Sequence, residues 1–389
     1  MPVRLGLERL IDGPDRKLIE GRRVGLVCNP ASIDSRIVHA SDRMMEGDWT
    51  LTALFGPQHG FRSDLQENMI ESPHARDAKR RVPVHSLYSE TREPTAEMLA
   101  DVDVLVIDLQ DVGTRIYTYI YTMANCLRAA ARHGVKVVVC DRPNPINGVD
   151  VEGAALAPGF ESFVGQFPIP MRHGLTIGEL ARLFNAEFAL GAELEVVEME
   201  GWRREMFAGE TGLPWVMPSP NMPTLDTAVV YPGTVLFEGT LLSEGRGTTR
   251  PFELVGAPGI EAERFAREMN ELRLPGAFFR PAVFEPTFQK HAKQPCGGCQ
   301  IHVTDRRAFK PVLTGAALIA MFHRATPGRP LWRQPPYEYE HEKLPIDILA
   351  GSPQFRQQIE AGTDAGRMAE SWAADERAFR DRRAPYLLY

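Results

Sequence analysis

The sequence predicts an α/β protein in which a doubly wound parallel sheet is followed by a smaller α+β domain. In the first half of the 389 residues, near-continuous runs of Val, Ile and Leu recur, as in strands that are buried on both faces. Helix-like segments separate these runs, which is the pattern of repeated βαβ units. The second half mixes helices and short strands with a Gly- and Pro-rich stretch at 213–258. We therefore predict a Rossmann-like parallel sheet domain over 1–165 and a smaller α+β domain over 166–389.

Strands and helices alternate in the first predicted domain. Each strand is a short apolar run that stops at a turn containing Pro, Gly or Asp. A helix over 117–133 is expected to end at Gly134, because glycine readily takes the left-handed conformation that closes helices. A shorter helix is predicted over 36–46. The predicted strands cover 23–28, 49–55, 102–109 and 135–140.

The second predicted domain carries a different mixture of elements. Thr176 followed by Glu179 has the spacing of a capping box, which starts a helix over 176–190. The stretch at 213–258 is interpreted as a functional loop that an apolar run over 229–242 interrupts. Further helices are predicted over 260–272, 311–325 and 364–380, and strands over 193–200, 277–285 and 299–304.

Composition and charge limit the classes of function. The 44 Lys and Arg residues against 51 Asp and Glu leave a net charge of −7, so the chain lacks the basic footprint of a general nucleic-acid binder. No apolar run reaches the roughly 18 residues of a membrane span. The N-terminus lacks the apolar segment of a signal peptide. Cys28, Cys126 and Cys140 stand in apolar runs, which favours buried, reduced thiols. We expect a cytoplasmic protein with neither a nucleic-acid nor a membrane partner, and its oligomeric state is open.

No cofactor or metal is predicted. No strand leads into a G-x-G-x-x-G turn and no Gly-Lys-Ser/Thr phosphate loop is present, so a nucleotide cofactor has no support. Cys296 and Cys299 have C-x-x-C spacing, but a zinc site would need a second pair of ligands. We interpret them as two structural thiols that flank a turn.

Polar residues follow every predicted strand of the first domain. Ligands of open parallel sheets bind beyond the carboxyl ends of the strands, so these residues are expected to meet at one edge. Asp108 and Asp111 beside Arg115 form the sharpest cluster, which suits a general acid or base, a sugar-orienting pair or a metal. The alternative is that these residues form ordinary turns and helix caps. The candidates at strand ends are Asn29, Gln58, His59, Arg62, Asp108, Asp111, Arg115 and Asn144.

Loops outside the strand ends add further candidates. Glu67 and Asn68 lie close to the turn that carries His59, and a solvated polar face is the alternative for them. Arg172 and His173 precede the capped helix, where they could reach an anionic ligand or simply turn the chain.

Two later segments combine stiff or flexible backbone with polar side chains. The proline-rich segment 218–223 is expected to hold Asn221 rigidly. The segment 243–250 contains two glycines, two arginines and several hydroxyls, including Arg246 and Thr248. Such a loop can bind a carboxylate or phosphate through guanidinium groups and backbone amides.

Taken together, these motifs resemble the exo-β-N-acetylmuramidase NamZ family along nearly the whole chain. The resemblance implies a Rossmann-like domain and a smaller domain with the active site in the cleft between them. It also implies an enzyme that releases N-acetylmuramic acid from the non-reducing end of peptidoglycan fragments, so its partner is a muramic-acid-containing saccharide. The matching segments are 25–30, 56–62, 108–119, 141–145, 218–223 and 243–249.

One position departs from the family. Where the resemblance leads us to expect a catalytic Glu, this chain has Gln58, whose amide has no proton to give at neutral pH. Either another carboxylate supplies the proton or this branch does something else. The candidate catalytic residues are Gln58, His59, Glu67, Asp108 and Asp111.

The substrate explains the remaining candidates. Muramic acid carries a lactyl carboxylate that guanidinium groups suit, and Asn side chains could bind hydroxyls or the acetamido group. Two alternatives stay open: a sugar-binding protein without turnover, and a metal-assisted hydrolase. The donors of such a metal would be His59, Asp108, Asp111 and Asp141. The predicted substrate-binding residues are Asn29, Arg62, Asn68, Arg115, Tyr117, Asn144, Arg172, His173, Asn221, Arg246 and Thr248.

Overall fold

The structure, a computed structural model, describes residues 3–67 and 69–389. Its strands are β1 (Arg23–Cys28), β2 (Thr50–Gly56), β3 (Ala75–Arg76), β4 (Pro83–Ser86), β5 (Val104–Asp108), β6 (Lys136–Cys140), β7 (Glu152–Ala155), β8 (Pro170–Arg172), β9 (Leu194–Val197), β10 (Leu254–Ala257), β11 (Ala277–Phe284) and β12 (Cys296–Val303). Its α-helices are α1 (Gly6–Asp12), α2 (Ala40–Arg43), α3 (Ala96–Leu99), α4 (Tyr119–His133), α5 (Ile177–Glu187), α6 (Leu225–Thr234), α7 (Ala262–Glu271), α8 (Pro311–Ala325), α9 (Pro345–Ala350), α10 (Gln354–Glu360) and α11 (Ala365–Arg383). Across these two described ranges, no helix has both the length and the apolar character needed to cross a membrane.

A large sheet of seven strands has the order β3-β4-β2-β1-β5-β6-β9. All neighbouring strands are parallel except β3 and β4 at one edge. Leu105 and Ile107 of β5 pack with α4 and α5, whereas Val104 and Val106 pack in a second core with α1. Because helices cover both faces, the central strands are apolar throughout. The predicted doubly wound α/β architecture is confirmed.

A smaller antiparallel sheet, in the order β10-β12-β11, belongs to the second part of the chain. Helix α7 packs against this sheet, and Phe265 of α7 lies 4.1 Å from Phe322 of α8 between ring centroids. The apolar core around these rings continues without a break into the core between the large sheet and α4. Helix α11 then crosses back to pack against β7. The two parts therefore share one hydrophobic core.

Two local predictions are wrong. The helix predicted over 36–46 is reduced to α2, because the Asp34 carboxylate accepts two backbone N–H groups and turns the chain before a helix can begin. Cys296 and Cys299 do not flank a turn. Both lie within β12, and both are buried as free thiols.

The stretch at 213–258 contains helix α6, which the sequence did not indicate. Its cap is Thr224, whose hydroxyl accepts the backbone N–H of Thr227 at 3.2 Å. Pro232 lies inside this helix, and an internal proline hides a helix from pattern analysis. The last strand of the large sheet, β9, comes from beyond residue 165, and the division of the chain at that residue stays a prediction.

Parallel pairing brings the carboxyl ends of β1, β2, β5 and β6 to one edge of the sheet. The chain runs from β1 to β2 on one side and later reaches β5 on the other. Loops from the second part of the chain cover this edge. The fold thus places strand-end loops and the later Gly- and Pro-rich segments opposite each other.

Candidate active site

A cleft lies where the turn after β2 and the segment leading into α4 meet loops of the second part of the chain. The cleft is open to solvent and contains about 490 Å³ of space free of protein atoms. A concave site with a few convergent polar and ionisable groups is typical of small-molecule binding. The polar side chains of its wall are Gln58, His59, Tyr117, Thr118, Tyr119, Ser219, Asn221, Tyr231, Glu238, Arg246, Tyr337 and Glu338.

The turn after β2 carries Gln58 and His59 into the cleft. A side chain at Gly56 would meet the backbone nitrogen of Phe61 at 2.6 Å, so this tight turn requires glycine. Nδ1 of His59 lies 2.7 Å from the carbonyl oxygen of Leu65. Because a carbonyl only accepts, Nδ1 carries the proton and Nε2 is an acceptor. Burial lowers the pKa of His59 to about 4, so the ring is neutral near pH 7.

The Gln58 side chain is buried and held at both ends. The Thr118 hydroxyl donates to Oε1 of Gln58 at 2.9 Å. Nε2 of Gln58 donates in turn to Oε1 of Glu338 at 3.3 Å. Gln58 therefore orients a carboxyl group, although it has no proton of its own to transfer.

Glu338 supplies a carboxyl group that the sequence analysis did not identify. Its Oε2 accepts a hydrogen bond from the Tyr88 hydroxyl at 3.0 Å. Burial raises the pKa of Glu338 to about 7 against the opposing effect of Tyr88, and the charge of Glu238 adds to the rise. Glu338 and Tyr339 have positive φ values of 44° and 69°. Such strained backbone persists where the surrounding structure holds it, often at functional sites.

The second carboxylate, Glu238, lies in the 3₁₀ turn Val235–Gly239 that follows α6. Nη2 of Arg246 donates to its Oε1 at 2.6 Å, and the Tyr337 hydroxyl donates to its Oε2 at 2.7 Å. Burial alone would raise the pKa of Glu238, but the charge of Arg246 and these hydrogen bonds outweigh burial and lower it. Glu238 is therefore an anion, whereas Glu338 tends to keep its proton.

Arg246 lies in the cleft wall, where contacts with its own loop hold its side chain. Besides its contact with Glu238, its Nε lies 3.5 Å from Oε1 of Glu244. Thr248 supports the same loop, since its hydroxyl donates to the carbonyl oxygen of Gly245 at 2.5 Å. Arg246 therefore forms ion pairs with two carboxylates, those of Glu238 and Glu244. Thr248 does not line the cleft.

Five predicted site residues line the cleft: Gln58, His59, Tyr117, Asn221 and Arg246. Nδ2 of Asn221 donates to the carbonyl oxygen of Gln66 at 2.9 Å, which ties the segment 218–223 to the loop after β2. The predicted site residues therefore account for five of the twelve polar side chains of the wall.

The carboxylates of the sharpest sequence cluster lie elsewhere. Asp108 forms a buried ion pair with Arg142, with contacts of 2.6 Å from Nε to Oδ1 and 2.7 Å from Nη2 to Oδ2. Oδ2 of Asp111 accepts the backbone N–H of Gly113 at 2.7 Å and lies 3.2 Å from Nε2 of His173. Asp111 therefore does not cap α4. Both carboxylates hold strand-end loops together outside the cleft wall.

Arg115 is also occupied by the protein itself. Its guanidinium donates to the carbonyl oxygens of Ala154, Ile169 and Leu349 at 2.8, 3.0 and 2.9 Å. Three other predicted binding residues bond a backbone carbonyl oxygen in the same way: Asn29 to Pro218, Asn144 to Leu175 and Arg172 to Ile146. Arg62 and Glu67 are exposed, and Asn68 lies outside the described residues.

The donors of the metal hypothesis do not converge. His59 lines the cleft, Asp108 stays in its ion pair, and Asp141 accepts hydrogen bonds from the hydroxyls of Thr176 and Tyr389. In residues 3–67 and 69–389, no three His, Cys, Asp or Glu side chains are arranged to hold a metal ion.

The two carboxylates that sequence reasoning missed have a recognisable context. Glu338 follows Pro335, Pro336 and Tyr337. The two prolines stiffen this loop, as the prolines of the segment 218–223 do. Glu238 stands shortly before the segment 243–250. A search for acidic residues within or beside stiffened loops of the second half would have found both.

Comparison with known proteins identifies the family of this chain. Two family models match in succession: exo-beta-N-acetylmuramidase NamZ, N-terminal, over residues 24–226, and its C-terminal counterpart over residues 229–389. The chain is 46% identical to the peptidoglycan beta-N-acetylmuramidase NamZ of Bacillus subtilis (strain 168), over 100% of this chain and 91% of that protein.

Solved structures show the same fold. Two DUF1343 family proteins of Bacteroides fragilis NCTC 9343 match 100% of this chain and 99% of their own chains. Their TM-scores are 0.90 and 0.78, at 35% and 26% sequence identity. With both family models spanning nearly all of its length, the chain belongs to the exo-β-N-acetylmuramidase NamZ family.

Proposed function

We propose that this chain is an exo-acting glycoside hydrolase that releases N-acetylmuramic acid from the non-reducing end of peptidoglycan fragments. The observation that carries the proposal is a pair of carboxyl groups in one cleft, Glu338 and Glu238, whose surroundings move their pKa values in opposite directions. Glycoside cleavage uses such a pair, a proton donor and an anion beside an oxocarbenium-like centre. Family membership and the name of the Bacillus subtilis relative support the choice of substrate.

In this proposal Glu338 is the general acid. With a pKa of about 7, a large fraction of Glu338 is protonated near neutral pH. It can pass this proton to the glycosidic oxygen as the bond to the anomeric carbon breaks, and water then bonds to that carbon. Tyr88 and Gln58 hold its two oxygens and stabilise the carboxylate that remains after the transfer. Glu338 thus supplies the proton that Gln58 lacks.

Glu238 is the anion that stabilises positive charge at the anomeric centre. Arg246 and Tyr337 keep it ionised and fixed, so little reorganisation is needed when the charge develops. The acceptor Nε2 of His59 and the amide of Asn221 suit the hydroxyl and acetamido groups of the sugar. The exposed Arg62 stays our candidate for the lactyl carboxylate.

The test is hydrolysis of the disaccharide N-acetylmuramyl-N-acetylglucosamine by the wild type and by Glu338→Gln. Gln keeps the size and the hydrogen bond to Tyr88 but gives no proton, so we expect kcat to fall by about 10²–10⁴-fold. N-acetylmuramyl fluoride, whose leaving group needs no proton donor, should be cleaved by both proteins at similar rates. The exposed Glu342→Gln is the matched control.

Each outcome has a separate meaning. Full activity of Glu338→Gln on the disaccharide, or an equal loss on both substrates, would overturn the assignment of the acid. Failure of the wild type to cleave either substrate would overturn the hydrolase and favour a sugar-binding protein.

A further inference from the structure

An open groove adjoins the cleft on the far side of Glu338. Val164 and Tyr337 line the cleft, and Glu338 lines both cavities. Phe163, next to Val164, and Tyr339, next to Glu338, line the groove. The groove holds about 1010 Å³ of open space, which exceeds that of the cleft. The general acid of the proposed function therefore stands at the boundary between two adjoining cavities.

We propose that this groove is the leaving-group subsite and that it holds a neutral sugar on the reducing side of the scissile bond. The inference rests on the proposed function, because a general acid must stand beside the glycosidic oxygen. With the muramic acid unit in the cleft and its bond at Glu338, the next sugar has to lie in the groove. N-acetylglucosamine has the chemistry of this position.

The groove offers an aromatic surface of the kind that sugar rings pack against. Tyr339 is 51% exposed although its ring is large and apolar. The Arg92 guanidinium lies 4.4 Å from the ring centre of Tyr339 and 4.6 Å from that of Tyr88, and Phe163 completes the cluster. These contacts hold the rings in place, so little conformational entropy is lost when a ligand binds. Tyr88 also bonds Glu338, which joins the platform to the acid.

The charges of the groove select a neutral occupant. Among the described residues that line it, only Arg92 is cationic, and Nη2 of Arg92 is paired with Glu71 at 3.2 Å. A surrounding excess of negative charge disfavours a lactyl or peptide carboxylate in this position. The same charges favour the orientation in which muramic acid occupies the cleft. Besides Glu338, which carries the proton in the proposed function, the acidic residues of the groove are Glu71, Glu90, Glu161 and Glu340.

The experiment compares the disaccharide with N-acetylmuramyl fluoride, whose leaving group is a single atom and leaves the groove empty. For Tyr339→Ala we expect kcat/KM on the disaccharide to fall about tenfold, chiefly through KM, because ring packing of this kind changes affinity by about that factor. Hydrolysis of the fluoride should stay within about twofold of the wild type. Tyr339→Phe, which keeps the ring, should restore the disaccharide rate.

Inhibition by free N-acetylglucosamine gives a second readout that a disturbed Glu338 would not move. The sugar should inhibit cleavage of the disaccharide by the wild type, and its inhibition constant should rise about tenfold in Tyr339→Ala. The matched control is Phe278→Ala, because Phe278 is 50% exposed and lies on β11. Unchanged disaccharide kinetics and inhibition in Tyr339→Ala would overturn the subsite while leaving the hydrolase intact. A wild type inactive on both substrates would instead overturn the proposed function itself.

Discussion

Protonation of Glu338 depends on opposing influences at a single carboxyl group. Burial raises its pKa to about 7, whereas the hydrogen bonds from Tyr88 and Gln58 favour the charged form and lower it. Loss of one donor must therefore move the pKa further upward. A matching shift in the pH dependence of the rate separates a working acid from a carboxyl group that only supports the fold.

The pH dependence of the rate should report this group. We expect kcat/KM on the disaccharide to decline as the pH rises past about 7, where Glu338 loses its proton. Tyr88→Phe should move this alkaline limb to higher pH by roughly 0.5–1 unit, because the carboxylate loses a donor. Rate profiles from about pH 5 to pH 9 measure the shift. Tyr386→Phe, which removes a hydroxyl bonded to Glu187, is the control, and an unmoved limb in Tyr88→Phe would contradict the assignment.

Among the individual residues of the site, the sequence identified those on the turn after β2 but not the carboxyl group that faces them. Gln58 and His59 were found because a Gly-Pro turn at the end of a strand marks them. Glu338 bonds Gln58 across 280 positions of the chain, and no local pattern shows which distant loop closes on a turn. Asp108 was a stronger candidate by spacing, but its partner proved to be Arg142, on another strand end.

Residues at the strand ends have different roles, although the rule that ligands bind beyond the carboxyl ends of parallel strands correctly located the edge of the sheet. The carboxyl ends of β1, β2, β5 and β6 do meet at one edge, as the apolar runs and the parallel-sheet rule predicted. The loops at that edge must also be held to each other by hydrogen bonds and ion pairs. The polar and charged residues that do this are of the same types as those that bind a ligand. Asp108 pairs with Arg142 between the ends of β5 and β6, and Asn29 after β1 bonds the carbonyl oxygen of Pro218. Some polar residues at the edge of a sheet thus bind the ligand, whereas others hold the loops together.

Replacement of Asp108 distinguishes these two uses. We expect Asp108→Asn to lower the free energy of unfolding by about 3–5 kcal/mol, because it leaves the buried Arg142 guanidinium without its counter-charge. The activity per folded molecule should stay near that of the wild type. Urea unfolding together with disaccharide hydrolysis at low temperature measures both quantities.

A double replacement provides the control for that result. Asp108→Leu with Arg142→Met removes both charges, so it should recover most of the lost stability. If Asp108→Asn were fully stable but inactive, the carboxylate would have a catalytic role, as its spacing with Asp111 suggested.

The two parts of the molecule are joined by buried polar contacts as well as by a common core. In β7, Oε1 of Glu152 accepts the backbone N–H of Leu313 in the first turn of α8 at 2.8 Å. Arg383 of α11 donates to the carbonyl oxygen of Val149 at 2.8 Å. The sequence predicted helices α8 and α11 at this junction but not strand β7. It could not predict the junction itself, because the residues that form it are polar and lie far apart in the chain.

Titration of Glu152 should make the stability of the whole molecule depend on pH. Burial raises its pKa to about 7, above the value of about 4.3 expected in the unfolded chain. Between these values the folded state binds the extra proton, so this group's contribution to stability is full at low pH and is lost as the pH rises through 7. In Glu152→Gln nothing titrates at this position, and the amide oxygen can still accept from Leu313.

We therefore expect Glu152→Gln and the wild type to have free energies of unfolding within about 1 kcal/mol of each other near pH 5. Relative to the wild type, the variant should gain about 1–3 kcal/mol between about pH 5 and pH 8, because only the wild type must then bury a carboxylate. Urea unfolding across this range measures the difference, with the exposed Glu271→Gln as control. A difference that does not change with pH would mean that Glu152 is ionised throughout, held by the nearby charge of Arg172. The junction would then depend on an ion pair, and replacing Arg172 would weaken it at every pH.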